Sequence, residues 1–82
     1  QAVFVESGRY VAGYIRGKLA RAEQGSYVIS DRELTTIIAR LTAFDRELGT
    51  VAGTDVRAQD VHVQVSDLLR DVRTLQTQRS SP

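Results

Sequence analysis

The groups in this 82-residue sequence that could do chemistry are few. There is one histidine, His62, and no cysteine. General acid–base catalysis needs a proton carrier held against a second group of matched pKa. Nothing near His62 in the sequence offers such a partner. Its place beside Val61 and Val65 makes it a flank residue half covered by an adjoining helix, with a pH-sensitive helix contact as the other role open to it. Asp60, Asp67 and Asp71 fall on one side of a helix, as metal-binding or acid–base carboxylates would. Arg70 and Arg73 are interleaved with them, so a solvated charged face with an Asp67–Arg70 ion pair is expected instead. No Glu-x-x-His motif marks a di-metal bundle site. Ser30 has no local His or Lys to act as its base and reads as a helix cap. Gly13-Tyr14-Ile15-Arg16-Gly17 has the small-residue spacing that lets helix backbones approach closely. It lacks the Gly-Lys-Ser/Thr of a phosphate loop. The surrounding Arg9, Arg16, Lys18 and Arg21 disqualify it as a membrane dimer motif. The expectation is a non-catalytic chain with no cofactor and no metal.

Segment 9–21 is the one local charge asymmetry. It carries Arg9, Arg16, Lys18 and Arg21, interleaved with Tyr10 and Tyr14, and no acid. Such a stretch can meet nucleic acid through phosphate contacts and ring stacking, or acidic residues on a partner helix. The net charge of only +1 exerts no global pull toward nucleic acid or anionic lipid. Nucleic-acid regulation is therefore the alternative reading, and protein association the favoured one. Ten of the eleven basic residues are Arg, a bias that genome composition explains without reference to function.

The elements that position these residues follow from apolar spacing. Ser30-Asp31-Arg32-Glu33 is a capping-box pattern. Its Ser hydroxyl can accept from the Glu33 amide, and the Glu33 carboxylate can reach back to the Ser30 amide. Ile29 can staple against Leu34, and Asp31 and Glu33 suit the positive end of the helix dipole. Leu34, Ile37, Ile38, Leu41, Phe44 and Leu48 then form one stripe, and Gly49 reads as a left-handed C′ residue. A helix is predicted over 31–48, inside a capped amphipathic unit spanning 30–49. After a loop at 49–54, Thr54 or Asp55 can cap a second helix over about 55–76, within a heptad segment 54–78. Ala58, Val61, Val65, Leu68, Val72 and Leu75 step three, four, three, four, three, which is a heptad seam, and Leu69 widens it. The short loop predicts an antiparallel helical hairpin. Residues 79–82 read as a disordered tail.

The first 25 residues are less decided. Gly8, Ala12, Ile15, Leu19 and Ala22 form a small-residue helical stripe, and a helix is the preferred reading. Gly8, Gly13 and Gly17 oppose it, each at about 1 kcal/mol relative to Ala. Alternation around Tyr10, Ala12 and Tyr14 with a turn at 6–9 admits a β-hairpin. Gln24-Gly25-Ser26 is a break in both readings.

The whole is expected to be a single, mainly α-helical domain, a small helical bundle. A chain this short buries a modest core, and without disulfides association is its natural source of added stability. Gln1 and the lack of Met point to a processed or excised piece. No apolar run reaches the roughly 20 residues of a membrane span. The seams lead to a homo-oligomer, or a pairing with a helical partner protein, in which helices from two chains share one core. One seam cannot close both an intrachain hairpin and an interchain zipper. A second face must come from Leu69, Ile38 or the small residues of the first segment.

Overall fold

The heptad seams close on one another within a single chain. The computed structural model describes residues 2–80, which form three helices: α1 (Ala2–Glu23), α2 (Asp31–Val51) and α3 (Val56–Ser80). No strand occurs among the described residues, so the first segment is the helix and not the hairpin. Helix α3 packs chiefly on α2 and next on α1, while α1 and α2 touch least. The bundle is elongated, 43 × 24 × 16 Å, with a radius of gyration of 13.3 Å. A rounded domain of this length would have about 12 Å.

Core positions follow the spacing. Leu34, Leu41, Leu48, Val61, Val65, Leu68 and Val72 are almost wholly shielded, together with Ile15, Ile37 and Leu69. Leu19, Ile38, Phe44 and Leu75 pack against this core while remaining partly exposed. Helix α1 contributes a third row, because Val5 extends the stripe of Gly8, Ala12, Ile15, Leu19 and Ala22 by one step. Gly8 is buried there for a steric reason. A Cβ at that position would lie 3.3 Å from Val61, 3.4 Å from Phe44 and 3.5 Å from Leu48.

The helix ends correct several sequence expectations. Helix α2 runs through Gly49 to Val51, and the Ala52 amide continues the ladder by donating to the Leu48 carbonyl. Val51 stands one further step along the α2 stripe and packs against the core, so tertiary contact overrides the glycine stop signal. The left-handed glycine is Gly25 instead, at φ +81°. There the Ser26 amide donates to the Arg21 carbonyl and the Gly25 amide to the Ala22 carbonyl, the bond pattern of a Schellman C-cap. Ser30 caps α2 by accepting from the Glu33 amide at 3.0 Å. Asp55 caps α3 by accepting from the Arg57 amide at 2.9 Å. Arg79 and Ser80, expected in a disordered tail, are the last residues of α3, and Arg79 reaches Asp31 at 3.1 Å. The rest of that expected tail, residues 81–82, lies outside the described residues.

Candidate association surface

Of the places where side chains from more than one helix gather, three bear on function. The first lies where the end of α1 meets the start of α2. The Schellman turn and the non-helical residues 27–30 bring Tyr27 and Glu33 under Lys18. Lys18 Nζ donates to Glu33 Oε2, and the Tyr27 hydroxyl donates to both Glu33 oxygens at 2.7 and 2.9 Å. Lys18 also lies over the rings of Tyr14 and Tyr27, 5.0 and 5.4 Å from their centroids. The Glu33 carboxylate therefore turns toward α1, and not back to its own cap as the capping-box pattern implied. Its bonds to Lys18, first, and to Tyr27 hold its pKa below the ordinary carboxylate value, against the opposing effect of burial. The same bond to Glu33 raises Lys18 above its ordinary value; burial opposes this, and Tyr27, Tyr14 and the Glu33 charge add to it. A lysine held this firmly protonated is a tether between helices and has no free electron pair for nucleophilic work.

The other basic residues of the segment are also engaged. Arg16 donates to Asp71 on α3 at 2.7 Å, and Arg9 lies 3.6 Å from Glu6 one turn earlier. Arg21 stacks over the Tyr27 ring, 6.0 Å from its centroid. The segment is free of acids in sequence, but the fold supplies them from Glu6, Glu33 and Asp71. Phosphate binding there would have to displace those partners.

The second place joins α2 to α3. Ser66 Oγ donates to Asp45 Oδ1 at 2.5 Å, and His62 Nε2 lies 3.1 Å from the same oxygen. His62 thus has a partner that its sequence neighbours did not reveal, since Asp45 belongs to the other helix. Serine and histidine both address the carboxylate, not each other, so the serine is not activated as a nucleophile. Asp67 pairs with Arg70 at 3.4 Å, and Asp60 accepts from Gln64 Nε2 at 3.2 Å. Among the described residues no group of three or more His, Asp or Glu is arranged to hold a metal ion.

The third place is an open groove between α1 and α2, about 1010 Å³ in volume. Its floor is Val11 and Phe44, with Phe44 stacked on Phe4 at 5.2 Å between ring centroids. Val3, Ser7, Tyr10 and Tyr14 line it from α1, and Glu6 and Arg40 are its charged lining residues. Val3, Tyr10 and Tyr14 are 81%, 74% and 52% exposed. The two tyrosine rings lie nearly parallel, 6.5 Å apart. Val3, Ser7, Tyr10 and Tyr14 step four, three, four, so α1 carries an outer row as well as its inner one. That spacing is present in the sequence. It is masked by the basic residues around it, which draw attention to charge. Gly13, by contrast, faces open space and brings no helix close.

This is a three-helix bundle with an apolar, aromatic row exposed on α1 beside the α1–α2 groove. No family model, no curated protein and no solved structure matches the chain. No helix of the described residues is long and apolar enough to cross a membrane.

Proposed function

We propose that this chain is a non-catalytic helical module for protein association, and that the outer face of α1 beside the α1–α2 groove carries the contact. The observation that supports it most is the exposed row of Val3, Tyr10 and Tyr14 next to a floor of Val11 and Phe44. Tyrosine supplies large contact area at low entropic cost and is enriched in the cores of protein interfaces. An apolar patch rimmed by polar residues is the surface signature of a binding site. Association through the inner seams would require a helix to swing away, since Val61, Val65 and Leu68 are fully covered within the chain. Association through the outer face leaves the bundle intact.

A photo-crosslinking residue at Tyr10, introduced into the full chain in the cells that make it, tests this. The expected result is a discrete protein adduct that a crosslinker at exposed Gln59 does not give. No adduct at Tyr10, or adducts to nucleic acid, would overturn the proposal.

A further inference from the structure

Building on that association reading, we infer that the occupant of the α1–α2 groove is a second copy of this chain, laid antiparallel along α1. The outer row is self-complementary in that orientation. A twofold axis between Ser7 and Tyr10 sets Val3 against the partner's Tyr14 and small Ser7 against the partner's large Tyr10. A twofold interface presents the same patch from both sides and must complement itself in charge as well as shape. The groove does so, with one acid, Glu6, and one base, Arg40. The Phe4–Phe44 stack and the Lys18–Glu33 bond fix the register of α1 against α2, and this register places Arg40 level with residues 8–11. Antiparallel pairing of the outer rows places Glu6 level with the partner's Val11, and so beside the partner's Arg40. Symmetry forms the pair twice.

The Arg40 side chain has no ion pair or hydrogen bond among the described residues. The ion pair of Glu6 is an exposed contact with Arg9 on its own helix, so both charges are available. A strongly acidic or strongly basic partner would instead set one of the two against its like. The contacting row spans only about 16 Å of helix at 1.5 Å per residue. Such a face falls short of the roughly 800 Å² per partner of a standard interface. The dimer is accordingly weak and concentration-dependent.

Sedimentation equilibrium of the full chain from about 10 μM to about 1 mM reads this directly, a range chosen for an interface of that size. The mass is expected to rise from 9.1 kDa toward twice that value. Glu6→Arg and Arg40→Glu should each weaken association by about tenfold or more, and the double reversal should restore most of it. Both sites are exposed, and unchanged helical circular dichroism verifies the fold of each variant. A monomer across the whole range overturns the inference, as does a dimer indifferent to both reversals. A monomer that still gives a foreign protein adduct at Tyr10 removes the second copy and leaves the association module standing. A monomer with no adduct removes both.

Discussion

Glycines and one half-buried ion pair carry the sharpest consequences at the scale of single residues. Gly8 fits because α1, α2 and α3 converge on it, whereas Gly13 meets nothing within 4 Å. Gly8→Val should therefore overpack the bundle and cost about 1–3 kcal/mol. Gly13→Ala should add about 1 kcal/mol of stability by improving helix propensity alone. Thermal or urea denaturation of the two variants checks the opposite signs. The Lys18–Glu33 pair adds a pH dependence with a definite direction. Folding lowers the Glu33 pKa, so its contribution is complete above the ordinary carboxylate range and disappears as pH falls through the lowered value. Folding raises the Lys18 pKa, so its contribution is complete below 10.5 and disappears as pH rises through the raised value. Glu33→Gln should melt below the unaltered chain at neutral pH, and the gap should close on acidification. A gap independent of pH would contradict this account of the pair.

Where the helices begin and end is decided partly by local chemistry and partly by packing. Ser30, Asp55 and the Gly25 turn are local signals that the chain obeys. Gly49 is a local signal it ignores, because one more turn of α2 brings Val51 onto the core. Two substitutions separate these cases. Gly25→Ala forces a Cβ into the left-handed region and should cost about 1–2 kcal/mol. Gly49→Ala lies inside a helix, where its Cβ would make an ordinary 3.6 Å contact with His62, so it should add up to about 1 kcal/mol. A destabilised Gly49→Ala chain would instead match a helix ending at that glycine. Melting temperatures of both variants give the answer. Two heptad rows and the α2 cap were legible in the sequence because each repeats over several turns or depends on neighbours three residues apart. The pairings Glu33–Lys18, Asp45–His62 and Asp71–Arg16 were not, because each joins different helices and depends on their rotation about one another.

For the molecule as a whole, three amphipathic helices of 22, 21 and 25 residues cover each other's inner rows and leave the outer row of α1 exposed beside the α1–α2 groove. Covering is what stabilises it. Leu41→Asp or Leu68→Asp would bury a carboxylate at a position with no exposure, at a cost of several kcal/mol against a total of about 5–15. Loss of helical circular dichroism is the expected readout for each. The same covering leaves the outer face of α1 exposed, and that is the face on which the proposed association rests. Hydroxyl-radical footprinting of the chain at low concentration and of the proposed assembly tests this most directly. Leu41 and Leu68 should be unreactive in both. Tyr10 and Tyr14 should react freely in the free chain and become protected on assembly, while exposed Val28 stays reactive throughout. Tyr10 and Tyr14 equally reactive in both states, or Leu68 labelled in the free chain, would contradict the account.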